Sequence, residues 1–169
     1  MKADSPSSSD SFSHLDDAGQ ARMVRVTGKA DQNRRAVAEG FLRLAPETVE
    51  KLRRQALPKG DVLTVAQIAG IVGAKKTAEL IPLCHLLPLH HVEVRFTPER
   101  DRIRIVAAAE TVGKTGVEME ALTAVAVAAL TLYDMCKAVD KGMSIEGVRL
   151  LKKEKEPVAG KGESSTTPA

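Results

Sequence analysis

From Ala121 to Leu132 the chain contains only Ala, Leu, Val and two threonines, Thr123 and Thr131. Charged groups gather at both ends, with Lys114, Glu118 and Glu120 before the segment and Asp134 and Lys137 after it. A stretch this apolar has almost nothing to exchange with water, so it constrains the fold to one that buries a long element at its centre. The uncharged run from Ala121 to Tyr133 is shorter than the roughly 18 residues expected of a membrane-spanning helix, which predicts a core helix and no membrane span.

Composition narrows the function classes. Aromatic residues make up only 2% of the chain, with no Trp, so the core must be packed from Ala, Val, Leu and Ile. The stacking platforms of single-stranded nucleic-acid binders are missing. A net charge of +3, from 25 basic and 22 acidic residues, is too balanced to mark a nucleic-acid protein and leaves room for a small anionic ligand. Cys84 and Cys136 lie in unrelated apolar contexts, and the start Met-Lys-Ala-Asp-Ser-Pro-Ser has no secretory pattern. Free thiols and a cytoplasmic location are expected.

The polar, Ser-rich residues 1–13 and the Lys-, Glu-, Gly- and Ser-rich residues 153–169 read as disordered tails around a single folded unit, 14–152. Within it, Arg22 to Thr27 alternates like a strand, and Arg35 to Leu44 offers a second extended piece. A helix begins at Pro46 and should stop near Leu57-Pro58. Thr64-Val65-Ala66-Gln67 has the form of a capping box and predicts a helix to about Leu80, ended by Pro82. His91 to Phe96 and Arg102 to Val112 form a hairpin around the turn Pro98 to Asp101. Thr115 to Glu118 reads as a second capping box that starts the long helix, and Ile145 to Leu151 is a last strand. Strands alternating with helices, one hairpin among them, predict an α+β fold: a ferredoxin-like antiparallel sheet with helices packed on one face.

The ends of the long helix carry the functional signal. Asp134 and Lys137 lie about 60° apart with about 4.5 Å of rise between them, so they can act on one ligand. The bland alternative is an ion pair on a solvated face, but the neighbours Leu132, Tyr133, Met135, Cys136, Ala138 and Val139 are apolar. A Lys beside a carboxylate in such surroundings can acquire the shifted pKa that acid–base work needs. Glu118 and Glu120 differ by about 200° and cannot share a partner. Glu118 has a role in the capping box; Glu120 has none, and it lies about 21 Å along the axis from Asp134. If Glu120 and the Asp134–Lys137 pair serve one small-molecule site, a second subunit must bring one end to the other.

Other motifs are weaker. Gly113-Lys114-Thr115 lacks the earlier glycine of a phosphate loop, Ala108 standing in its place. Cys84-His85 with His90-His91 matches no standard zinc spacing. His85 alone is equally a satisfied core histidine. Lys59, Lys75-Lys76 and Arg34-Arg35 are each ordinary surface charges when taken singly, and together they could frame a pocket for several phosphates.

Three stretches, in order, are similar to one family: Leu80-Ile81-Pro82-Leu83-Cys84-His85, Gly113 through Ala124, and Tyr133 through Val139. With Met23-Val24, Lys59 to Val62 and Ala74 to Thr77 in support, the chain resembles the molybdenum cofactor biosynthesis protein C family, the cyclic pyranopterin monophosphate synthases. The resemblance implies an enzyme that converts 3′,8-cyclo-7,8-dihydro-GTP, supplied by a radical-SAM GTP cyclase, to cyclic pyranopterin monophosphate with release of pyrophosphate. It also implies a homohexamer, a trimer of dimers, with sites between subunits. Carried over by position, Asp134 and Lys137 are the acid–base pair and Lys75 supports the chemistry. Leu83, Cys84, His85, Met119 and Glu120 line the substrate site, and Lys59 and Arg34 hold the triphosphate. No cofactor is required, and Mg²⁺ has a place only alongside the triphosphate. The chain departs from the family at Arg25, usually Asp, at Leu86, usually Pro, and at Glu79, more often Asp. Arg25 motivates the competing reading, an oligomeric nucleotide-binding protein that has lost turnover.

Overall fold

Alternation in the central strands sets the architecture. A computed structural model describes residues 19–54 and 60–158. Strand β1 (Gln32–Arg43) and strand β3 (Arg102–Gly113) pair antiparallel, with Ala36 opposite Ala109, Ala38 opposite Ala107 and Leu42 opposite Ile103. All six side chains are buried on one face, where the helices pack. Strand β2 (His91–Pro98) pairs with β3 and forms the expected hairpin, and strand β4 (Ser144–Pro157) pairs with the other side of β1. The sheet order is β2-β3-β1-β4, antiparallel throughout. With the helices on one face, this is the α+β, ferredoxin-like arrangement expected from the pattern.

The core helix is α4 (Glu118–Cys136), which presents Ala121, Ala124, Val125, Ala128, Ala129 and Leu132 to the sheet and to helix α2 (Val62–Lys75). It is long and apolar enough, by length and composition, to cross a membrane; here that apolarity is spent on the protein core. Small residues permit the close approach. A Cβ on Gly40 of β1 would lie 2.7 Å from Val125, and one on Gly73 of α2 would lie 2.8 Å from Val127. With so few aromatics, dense packing depends on backbone-to-side-chain contact of this kind.

Local details depart from the sequence reading. Residues 22–26 form no strand; only Ala21 makes a bridge, and the Val24 carbonyl is bound by the His85 side chain instead of by a neighbouring strand. Helix α1 spans Pro46–Arg53, and its expected end at Leu57-Pro58 lies outside the described residues. Thr64 does not cap α2. Asp61 does, accepting from the Thr64 amide at 3.1 Å and the Thr64 hydroxyl at 2.6 Å, while Gln67 donates to the Val94 carbonyl instead. The helix breaks at Lys76, and a short helix α3 (Thr77–Leu80) completes the run before Pro82. Likewise Val117, not Thr115, is the N-cap of α4, and no side chain caps it. β4 continues beyond Leu151 to Pro157, so residues 153–157, expected in a tail, belong to the sheet. On the face away from the helices Glu39 is 4% exposed between Arg104 at 2.8 Å and Arg149 at 2.6 Å.

Candidate active site

The loop that follows α3 folds back against the start of α4 because both of its flanks are tied down. The Cys84 amide donates to the Ile81 carbonyl at 3.0 Å, and beyond the loop the Thr111 hydroxyl donates to the Pro88 carbonyl at 2.6 Å. This brings Leu83, Cys84 and His85 to the same hollow as Met119 and Glu120, a cavity of about 280 Å³. Five site residues drawn from two distant stretches of sequence thus converge in one protomer. The size suits part of a nucleotide.

Glu120 is the chemically unusual group. It is 4% exposed, and burial, against a hydrogen bond to its own backbone and with the Glu118 charge nearby, pushes its carboxyl up to about 6. A carboxyl poised there can hold or give a proton near neutral pH. Burial, and then the charge of Glu120, pushes the Cys84 thiol up as well, so Cys84 lines the site as a thiol and not as a thiolate nucleophile. The His85 Nε2 lies 2.8 Å from the Val24 carbonyl. A carbonyl only accepts, so Nε2 carries the proton of that bond.

Several residues of the cavity were not singled out from sequence. Val24, Val26, Lys29, Thr115 and Gly116 line it, and Glu118 does so as a partner of Lys153 on β4, not as a cap. A Cβ on Gly116 would displace the Glu118 carboxylate. Lys153 had been assigned to a tail by composition; only the pairing of β4 with β1 carries it to the cavity rim.

The remaining candidates stand apart. Asp134 and Lys137 form an ion pair at 2.7 Å, each 58% exposed, at the far end of α4. The expected apolar setting is therefore not found in the protomer. The hydrogen bond to Asp134 and its charge raise the Lys137 pKa, holding the amine protonated, the direction of an acid and not of a base. Lys75 is exposed at the last position of α2. Arg34 on β1 donates to the Lys114 carbonyl at 3.4 Å, next to Thr115 of the cavity, and its Nε is buried with no hydrogen-bond partner. It also borders a second hollow of about 410 Å³ with Arg35, His90 and Glu154. Lys59 lies outside the described residues. Among the described residues no three of His, Cys, Asp and Glu converge as ligands for a metal ion.

Known proteins share this sequence pattern. The model of the MoaC family matches residues 23–156. The cyclic pyranopterin monophosphate synthase of Chloroflexus aggregans is 57% identical over 146 residues, 85% of this chain and 88% of that protein. The protein of the same name from Rhodospirillum rubrum is 54% identical over 155 residues, 90% of this chain and 93% of its own length. That of Peptoclostridium acidaminophilum is 54% identical over 142 residues, covering 84% and 90%. The match runs through the cavity and both ends of α4, and the chain belongs to the MoaC family.

Proposed function

We propose that the chain converts 3′,8-cyclo-7,8-dihydro-GTP to cyclic pyranopterin monophosphate and pyrophosphate, a lyase step of molybdenum cofactor biosynthesis. The observation that carries this reading is the convergence of Leu83, Cys84, His85, Met119 and Glu120 on one cavity in a member of the MoaC family. Incubating the purified protein with the cyclised GTP and assaying pyranopterin and pyrophosphate tests it. Binding without product would instead favour the nucleotide-binding module.

The chemistry assigns work to both ends of α4. Rearranging the ring needs proton transfers, for which Glu120 and the Asp134–Lys137 pair are suited. Closing the phosphate ring expels pyrophosphate, and the charge on the departing oxygens calls for cations, here Lys137, Lys75, Arg34 and Lys59. These groups supply both needs without a resident cofactor, and any Mg²⁺ arrives with the triphosphate as its counter-ion. Because Glu120 and Asp134 are about 21 Å apart on one straight helix, the site is completed by a neighbouring subunit, and the resemblance implies that the assembly is a hexamer, a trimer of dimers. The exposed stripe Val65, Ile68 and Val72 on α2, with Leu130 on α4, supports such an assembly. The thiols of Cys84 and Cys136 support a reducing, cytoplasmic setting, where the radical-SAM cyclase would supply the substrate.

Subunit complementation tests the shared site. Glu120→Ala and Lys137→Ala proteins, each inactive, should recover up to about a quarter of wild-type activity when unfolded and reassembled together, because some interfaces then hold both native residues. No recovery from a mixture that reassembles normally would place the whole site in one protomer.

A further inference from the structure

Beyond α4 the chain makes a turn, residues 137–139, in which Lys137, Ala138 and Val139 are all exposed. Packing within the protomer therefore does little to hold the peptide that carries Lys137. Hydrogen bonds at its two ends do. At the near end the Lys137 amide donates to the Tyr133 carbonyl at 2.9 Å, and the Val139 and Asp140 amides donate to the Cys136 carbonyl at 2.9 and 3.1 Å. At the far end stands Asp140, 9% exposed. Its Oδ2 accepts from the Ala45 amide at 2.7 Å and its Oδ1 from the Gly142 amide at 3.0 Å, and the Thr48 side chain adds a third hydrogen bond.

Ala45 is the N-cap of α1, and no side chain of its own caps that helix. In a capping box a carboxylate one turn into the helix reaches back to the N-cap amide; here that position is Thr48, and a carboxylate 95 residues away in sequence binds the amide instead. Burial would push the Asp140 carboxyl up, but the two amides and Thr48 more than offset it and hold it below its ordinary value. Among the described residues no Lys or Arg pairs with it. A buried charge with only dipoles for partners is costly, and what it supplies here is direction, because its two oxygens join the end of α4 to the start of α1. We propose that Asp140 is a positioning residue: by anchoring the turn after α4 to the start of α1, it fixes the direction in which Lys137 presents its amine. The proposal rests on the work assigned above to Lys137; the anchor itself rests on the hydrogen bonds.

Asp140→Ala, Asp140→Asn and Ala45→Pro test it in the full chain. Proline suits the Ala45 φ of −62° and removes the amide that Asp140 binds. Asp140→Ala should lower kcat, counted per folded protein, about tenfold with KM within about twofold. Asp140→Asn, which keeps one accepting oxygen, and Ala45→Pro, which cuts the tie from the other side, should each lose about threefold. Amide hydrogen exchange at Lys137, Val139 and Asp140 should quicken in all three, most in Asp140→Ala, with the sheet unchanged. A wild-type kcat per folded protein in Asp140→Ala overturns the positioning role, even if the variant melts earlier. A loss in Asp140→Ala with none in Ala45→Pro overturns the anchor as its cause. If Asp140→Ala does not fold, Asp140→Asn and Ala45→Pro decide by the same measurements. If the wild-type protein makes no product, the activity proposed above falls and the anchor is judged by exchange: quickening at residues 137–140 in Asp140→Asn and Ala45→Pro sustains it, and unchanged exchange removes it.

Discussion

At the N-terminal end of α4, Glu120 is 4% exposed in a cavity walled by two other segments, whereas at the C-terminal end Asp134 and Lys137 are each 58% exposed. The two ends also perturb their groups in different ways. Burial drives the Glu120 carboxyl toward its neutral form, while a partner charge drives the Lys137 amine further into its charged form. The first end is assembled by the fold of one chain. The second has its pair preformed on an exposed surface of the protomer, and the shared site proposed above would need a neighbour to cover it.

The sharpest way to break this contrast is Lys137→Ala. Turnover should fall by about a thousandfold, while thermal unfolding barely moves, as expected of an exposed pair. Steady-state kinetics beside a melt checks both; a large loss of stability would make the pair structural. Next in size is Gly73→Val, which overfills the space under Val127 and should cost about 2–3 kcal/mol in denaturant unfolding. That change lies between the ends and should weaken the protein without a specific loss at either.

Glu120→Gln sharpens the contrast from the buried side. The native carboxyl has a raised folded pKa, about 6 against an ordinary 4.5. Its folded form therefore binds protons more readily than its unfolded form, and the stability it contributes is full below about 4.5 and lost as pH rises through about 6. At pH 7 the burial costs about 2 kcal/mol, which Gln avoids. The variant should be more stable at pH 7 by about 1–2 kcal/mol, should lose that advantage as pH falls toward 4.5, and should turn over more slowly; melts across that pH range decide it. The smallest effect is expected of Asp134→Asn, which should lower the Lys137 pKa toward its ordinary value and change stability by less than about 0.5 kcal/mol, as titration by NMR would show.

The sheet and the core helix were legible because their evidence is local. Alternation in Arg102 to Val112 and the unbroken apolar run after Glu120 each need only their own residues to be recognised. The failures share a different cause. Arg22 to Thr27 alternates as well as any strand, but its carbonyls at Val24 and Thr27 are taken by the side chains of His85 and Lys114 and not by a neighbouring strand. Thr115 to Glu118 has the spacing of a capping box, yet the Glu118 carboxylate is taken by Lys153, a residue distant in sequence. Lys29 and Lys153 were invisible as site residues for the same reason. Each reaches the cavity through tertiary contacts that no spacing encodes: the ties of Val24 and Thr27 for one, the pairing of β4 for the other. Leu83, Cys84, His85, Met119 and Glu120 were found through resemblance, and the fold supplies the physical reason they belong together.

The close fit of α4 between β1 and α2 also gives its length a meaning of its own. Gly40 and Gly73 leave no slack beside Val125 and Val127, so the helix can neither slide nor turn in its seat. Deleting one residue from Ala126 to Leu130 would shorten the span by about 1.5 Å and swing Asp134 and Lys137 by about 100° relative to Glu120. Glu120, Asp134 and Lys137 would all still be present, but the far pair would point elsewhere. In this molecule the number of residues between two functional groups acts as a gear ratio, and an indel in the blandest part of the sequence would be as disabling as the loss of a charge.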